Sequence, residues 1–152
     1  MNKDTLLVAA REGLRQRIEE SKVQLAQILR RANEAPGAME SHSDTDKNLY
    51  GRQAGGQQEA IGAMEIEYTL METLVFPESA VAGVGSLVTT KDEKGESRYF
   101  ILPGGGGIKL RENDVEVIVV TPSTPLGLIL LGKKAGEVVA VGSRILTIVE
   151  IA

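Results

Sequence analysis

The sequence predicts an α+β protein in which an N-terminal antiparallel helical hairpin, a coiled coil, precedes a small β-rich domain. Two segments of similar length carry apolar residues at coiled-coil spacing, which predicts two paired helices. After Phe76-Pro77 the period of the apolar residues changes, and short β-rich runs follow. The chain has 152 residues, 42% of them hydrophobic, so it is long enough to bury a core.

The first helix is predicted from about Asp4 to Ala32, where the residues are strong helix formers. Pro36 and Gly37 then end it. Its apolar positions follow the first and fourth places of a heptad repeat, which is the pattern of a helix that packs on another helix. These positions are Leu7, Leu14, Ile18, Leu25, Ile28 and Ala32.

The second helix is predicted from about Asp46 to Val75, and its stripe matches the first in length. Two equal helices joined by a short connection favour an antiparallel hairpin. Gly51, Gly55 and Gly56 weaken the start of this helix, because each costs about 1 kcal/mol relative to Ala. The stripe consists of Tyr50, Ala54, Ile61, Met64, Tyr68, Met71 and Val75.

The C-terminal half reads as a five- or six-stranded sheet domain, and the predicted division is 1–77 for the hairpin and 80–152 for the β-rich domain. One or two helical turns are expected from Pro125 to Leu131, ended by Gly132. The predicted strands are separated by glycine-containing turns. They are 85–91, 97–102, 115–121, 137–141 and 145–151.

Composition excludes several classes of function. There is no Cys and a single His, which argues against disulfides, thiolate nucleophiles and His-rich metal sites. No catalytic motif is recognisable, and the run Gly104–Gly107 lacks the helix start that a phosphate loop requires, so we read it as a plain turn. A net charge of −4 without a basic cluster argues against direct nucleic-acid binding. The N-terminus has no signal or membrane segment, and a cytoplasmic protein is expected.

The turn predicted between the helices, residues 37–47, is acidic. It carries Glu40, Asp44 and Asp46. Ser41 and Ser43 each stand three residues before an Asp, which is the spacing of a helix cap, and Asp is favoured at helix starts. A capping carboxylate also keeps lone pairs that a cation can use. The residues alone leave helix capping and cation binding both open.

Residues 123–139, STPLGLILLGKKAGEVV, resemble the signature of the Gre transcript-cleavage factors. In that family a Ser-Pro-x-x-x-x-Leu-x-Gly-Lys-x-x-Gly-acid-x-Val pattern closes an FKBP-like domain. The order of parts is similar too, because the family places a helical hairpin with an acidic tip before that domain. The resemblance spans nearly the whole chain, and the C-terminal motif is its specific part.

The resemblance implies a protein that binds bacterial RNA polymerase. The FKBP-like domain would dock at the rim of the secondary channel through the loop in which Thr124-Pro125 replaces the family's Ser-Pro, with Leu126 as a further contact. The acidic tip would reach the catalytic centre near the 3′ end of the nascent RNA. There Asp44 and Asp46 would help to hold a Mg²⁺ ion jointly with the polymerase, whose own active site hydrolyses backtracked RNA. The protein itself would be no enzyme and would carry no cofactor of its own.

At the tip the sequence departs from the family pattern, which has two acids three residues apart followed by Asn-x-Glu-Tyr. With Tyr50 in register, Asp46 falls on the second acid, Ser43 on the first, and Leu49 on the Glu. A channel binder that modulates or inhibits transcription without stimulating cleavage is therefore the alternative. An unrelated scaffold that pairs its coiled coil with another helix is a third reading.

Overall fold

The computed structural model describes residues 1–34 and 41–152, and for residues 41–47 it describes the backbone alone. Within this part of the chain, α1 (Lys3–Glu34) and α2 (Ser41–Glu72) precede a β-rich region with one short helix, α3 (Pro125–Leu130). The predicted α+β class, with the helices first and the sheet after them, is confirmed.

The start of α2 differs from the prediction. The sequence indicated a turn up to Lys47, but the backbone is helical from Ser41 onward. Serine and aspartate are favoured at helix starts, because their oxygens accept bonds from free N–H groups and negative charge suits the helix dipole. The end of α2 also differs, because Val75 lies beyond the helix and is 83% exposed. Pro77 disfavours helical backbone at Phe76, the residue before it, so the helix is expected to end ahead of Phe76.

The two helices run antiparallel, and polar pairs mark their register. Gln57 of α2 donates to the carbonyl oxygen of Ser21 at 3.3 Å and to the Gln24 side chain at 3.2 Å. The Nζ atom of Lys22 lies 3.7 Å from Oε1 of Glu65. The predicted apolar stripes are confirmed in part. Near the start of α1, the buried residues are Leu6 and Ala10 instead of the predicted Leu7. The buried apolar residues of the two helices, among those described, are Leu6, Ala10, Leu14, Ile18, Ala54, Ile61 and Met71.

Within the described residues, six strands form one mixed sheet in the order β3-β4-β2-β1-β6-β5. Neighbouring strands are antiparallel except β2 and β4, which are parallel. Asn113 and Asp114 join β3 to β4 with φ angles of 51° and 63°, the left-handed pair that a two-residue hairpin turn requires. The strands are β1 (Leu87–Asp92), β2 (Gly95–Ile101), β3 (Lys109–Glu112), β4 (Val115–Val120), β5 (Val138–Val141) and β6 (Arg144–Ile151).

Both faces of the sheet are covered at its centre, because successive residues of β2 are buried on opposite sides. Phe100 is fully buried and its ring lies 6.0 Å from that of Phe76, which follows α2. The opposite face carries a cluster packed under α3, with Leu126 and Ile129 against it. That cluster comprises Ala82, Val88, Tyr99, Ile101, Val120, Leu130, Val139, Leu146 and Ile148.

The glycine run after β2 is more than a plain turn. Gly104 and Gly105 are buried, and a Cβ at Gly104 would overlap the Glu67 side chain of α2. A Cβ at Gly105 would lie 3.0 Å from Ile108, whose side chain also reaches Gly13 of α1. Glycine is required here because helix and loop approach more closely than any side chain allows. The expectation of a plain turn missed this packing role.

The chain divides into two compact units by its internal contacts. The first, which we call the sheet unit, contains residues 1–14 and 67–152. The second, the helical unit, contains residues 15–66. The division into 1–77 and 80–152 drawn from the sequence stays a prediction. No helix in the described part of the chain is both long and apolar enough to span a membrane.

Candidate docking surface

Helix α3 begins at the segment that the sequence singled out for docking. Thr124 is its N-cap: the hydroxyl accepts from the Gly127 N–H at 3.2 Å and donates to the Thr121 carbonyl at 2.8 Å. Pro125 occupies the first helical turn, where its missing N–H costs nothing. The bond that threonine makes is one that serine makes equally, so Thr124-Pro125 keeps the local geometry of a Ser-Pro start.

The three predicted contact residues have different environments. Pro125 is exposed, Thr124 is half-buried by its capping bonds, and Leu126 is half-buried and packs on the core under α3. Leu128, one turn further along, is 61% exposed and was not among the predicted contacts. The exposed apolar residues of α3 are therefore Pro125 and Leu128, whereas Leu126 packs on the core. The assignment of Thr124, Pro125 and Leu126 to partner binding stays a prediction.

A shallow groove of about 600 Å³ lies beside the start of α3. It is shared between the end of α2 with the residues after it and the loop that leads into α3. Leu70 is 51% exposed and Val75 is 83% exposed, so apolar surface is open to solvent there. The lining residues are Leu70, Thr73, Leu74, Val75, Val84, Pro103, Thr121, Pro122 and Ser123. We call this groove, together with Pro125 and Leu128, the docking surface.

The chemistry of the groove is apolar with a hydroxyl rim. The Thr121 and Ser123 hydroxyls lie 3.0 Å apart and bond to each other. Each lining residue is aliphatic, Pro, Ser or Thr, and none of them carries a charge. Such a surface suits an apolar side chain with a nearby hydrogen-bonding group, and it is poorly suited to catalysis or to an anion.

Sequence reasoning found the loop into α3 but missed the other wall of the groove. Leu70 and Val75 are distant in sequence from Pro122, so only the fold brings them together. One signal was available: Val75 lies directly before Phe76-Pro77, where a helix is expected to stop. An apolar residue just past a helix end is free of the helical stripe and available to a partner.

The groove has a structural support beside it. Lys3 donates to the Gly85 carbonyl at 3.0 Å, and its ammonium group lies 4.9 Å from the centre of the Phe76 ring. Burial lowers the pKa of Lys3, because desolvation penalises its charged form. Gly85 follows Val84 of the groove wall. Lys3 thus ties the start of α1 to the backbone that carries this wall.

A second depression, also of about 600 Å³, lies at the tips of the β1–β2 and β5–β6 hairpins. Two of its charges are paired with each other, because Arg144 donates to the Asp92 carboxylate at 2.9 Å. The hydrogen bond from Arg144, followed by that from the Lys94 N–H, lowers the pKa of Asp92 below its ordinary value. An ionised, satisfied carboxylate on the surface is a structural pair and a poor candidate for acid–base chemistry.

The predicted metal residues lie outside the described side chains. Asp44 and Asp46 fall within the helical backbone of α2, four and six positions along it, and nothing further is described of them. Among the side chains that are described, no group of three or more His, Asp or Glu residues is placed to hold a metal ion. The assignment of Asp44 and Asp46 to Mg²⁺ stays a prediction.

Comparison with known proteins gives a likeness to solved structures only. No protein-family model matches the chain, and no curated protein matches it. GreA factor homolog 1 (Gfh1) of Thermus thermophilus is 17% identical, covering 93% of this chain and 94% of its own, with a TM-score of 0.39. Gfh1 of Thermus aquaticus is 19% identical over 97% and 92%, also with a TM-score of 0.39. At these values the likeness carries no function, which has to be argued from the chain's own residues.

Proposed function

We propose that this protein is a transcription elongation factor that binds bacterial RNA polymerase through its secondary channel and stimulates the polymerase's intrinsic cleavage of backtracked RNA. The supporting observation is the docking surface. The segment that resembles the Gre signature presents Pro125 and Leu128 to solvent, and the loop that leads into it lines an open apolar groove. Exposed apolar surface clustered at one place is typical of a protein-binding site.

The docking surface and the start of α2 differ in chemistry, and this difference predicts separate roles for them. The docking surface has no catalytic group and supplies binding, whereas the acid-rich start of α2 supplies charge. Carboxylates are the donors that Mg²⁺ prefers, so the residue types of Asp44 and Asp46 fit a shared ion. When bound, such an ion stabilises the charge that develops during phosphodiester hydrolysis. The polymerase performs the reaction, and the protein contributes position and charge.

The alternative, a channel binder that does not stimulate cleavage, also has an observation in its favour. The backbone from Ser41 onward is helical, and helix positions two apart lie about 200° from each other around the axis. Positions 44 and 46 therefore occupy different faces of the backbone helix. An acid pair in a loop is free of this constraint. The alternative predicts tight binding to polymerase with no gain in cleavage.

The binding half of the proposal is tested at the docking surface. Leu128→Asp and Val75→Asp each place a charge on exposed apolar surface, so the fold should survive while polymerase binding weakens by about thirtyfold or more. Affinity is measured with labelled protein and core polymerase, and folding by circular dichroism.

The matched control is Ile145→Asp, because Ile145 is 67% exposed on β6 and lies outside the docking surface. It should bind as the wild type does. Wild-type affinity in a folded Leu128→Asp, Val75→Asp double variant would place the polymerase contact elsewhere or exclude it.

The cleavage half is tested with Asp44→Asn together with Asp46→Asn. Stalled, backtracked elongation complexes are incubated with Mg²⁺ and either protein, and the rate of RNA shortening is measured. We expect wild-type protein to accelerate cleavage and the double variant to lose the acceleration at unchanged affinity, because the charge that retains the ion is gone. Wild-type protein that binds tightly without acceleration would establish the alternative.

A further inference from the structure

The glycines of the two helices differ in what surrounds them. Gly13 of α1 has a packing reason, because a Cβ there would lie 3.0 Å from Ile108. Gly51, Gly55, Gly56 and Gly62 of α2 have none: among the described atoms, nothing lies within 4 Å of a Cβ built at any of them. Alanine would fit at all four positions and would favour the helix at each. We call residues 51–62 the glycine segment.

Packing does little to compensate for these glycines. In the helical unit, the buried apolar side chains among the described residues are Ile18, Ala54 and Ile61. Ala54 is small, and the next contact along the seam is polar, from Gln57 to Ser21 and Gln24. Helices in proteins depend mainly on tertiary packing for their stability. The glycine segment therefore combines low intrinsic helix stability with few buried contacts, the two properties of a segment that opens locally.

We propose that the glycine segment is a built-in point of local opening, at which α2 leaves its helical conformation while the sheet unit stays folded. On the proposed function, this opening has a use. Asp44 and Asp46 precede the segment, and helical backbone holds their positions on different faces. Release of the helix from its start to the glycine segment removes that constraint on the backbone positions of the two acids.

Amide hydrogen exchange on the free, full-length protein tests the opening without polymerase. Amides of residues 51–62 should exchange at least about a hundredfold faster than those of β1 and β2. Replacing all four glycines by alanine should slow exchange in the segment by about fiftyfold or more, since each substitution alone gives about fivefold. Equal protection of the segment and the sheet, or no slowing by alanine, would overturn the proposal.

The matched control replaces four exposed residues of the same segment, Arg52, Gln53, Gln58 and Glu59, by alanine. These residues are helix formers nearly as good as alanine, so exchange should change by less than about threefold. Slowing equal to that of the glycine variant would show that alanine content in general, and not the glycines, sets the opening.

The functional part is read in the cleavage assay. The four-glycine variant should bind polymerase as the wild type does but lose at least about fivefold of the acceleration, with the control variant unaffected. Full acceleration by the stiffened helix would overturn the role in cleavage. If wild-type protein fails to bind polymerase, the proposed function falls, and hydrogen exchange on the free protein still decides whether the segment opens.

Discussion

The sheet unit and the helical unit are stabilised in different ways. The sheet unit buries Phe100, Ile101 and Leu102 completely, and its close helix–loop approach at Gly104 leaves no room for a side chain. Among the residues whose side chains are described, the helical unit buries Ile18, Ala54 and Ile61, and four glycines of α2 have no described atom within 4 Å of a built Cβ. Stability is therefore concentrated in the sheet unit, and the free energy of local opening is expected to be lower in the helical unit.

The largest expected effect comes from Phe100→Ala. Phe100 is fully buried and contacts Phe76, so its truncation leaves a cavity and should lower the free energy of unfolding by about 3–5 kcal/mol. Urea unfolding followed by circular dichroism measures the change. Ile145→Ala, at a 67% exposed position of the same sheet, should cost less than about 0.5 kcal/mol. A loss below about 1 kcal/mol for Phe100→Ala would contradict the concentration of stability in the sheet.

Glycine-to-alanine changes should have opposite signs in the two units. At Gly127 a Cβ would overlap the carbonyl oxygen of Thr121 and approach the Thr124 hydroxyl to 2.9 Å, so alanine should destabilise the sheet unit by about 1–3 kcal/mol. At Gly62 alanine meets no described atom and should stabilise α2 by about 1 kcal/mol. Global urea unfolding measures the first and hydrogen exchange in α2 the second. If alanine changed stability in the same direction at Gly127 and Gly62, the proposed difference between the two units would be wrong.

The smallest effect is expected at the surface of the sheet. Arg144→Gln removes the main cause of the lowered pKa of Asp92, so this pKa should rise toward its ordinary value in an NMR titration. In the wild type, the folded pKa lies below the unfolded one. The interaction of ionised Asp92 with Arg144 therefore stabilises the folded state above the unfolded pKa, near 3.9. This stabilisation is lost as the pH falls through the folded pKa. Arg111→Gln, on the edge strand β3, is the control and should leave the titration of Asp92 unchanged.

The sequence predicted the order of helices and strands because each signal was local and periodic. The spacing of the apolar residues changes after Pro77, which placed the boundary between helices and strands. Thr124-Pro125 correctly predicted the start of α3. The start of α2 was missed because Ser and Asp are favoured both in turns and at helix starts. The residues before Lys47 were therefore compatible with either a turn or a helix. Leu6 replaced Leu7 in the buried stripe, a shift of one residue that spacing alone does not decide.

The candidate site was predictable only where it is continuous in the chain. The loop into α3 follows from a motif, but Leu70 and Val84 join it through tertiary packing that no spacing rule indicates. Gly104 shows the same limit, since its need for glycine arises from Glu67, 37 residues earlier. Even within the motif, the sequence does not indicate which side chains are exposed. Leu126 and Leu128 are the same residue type, but only Leu128 is largely exposed to solvent.

The uncharged lining of the docking groove has a consequence for ionic strength. Contacts between apolar surfaces are not screened by salt, whereas attraction through carboxylates weakens beyond a Debye length, which is about 10 Å at 0.1 M salt. Raising the salt concentration should thus leave contacts in the groove in place while it weakens those made by the acids. Salt concentration therefore separates the contribution of the groove to binding from that of the acids, without altering a single residue.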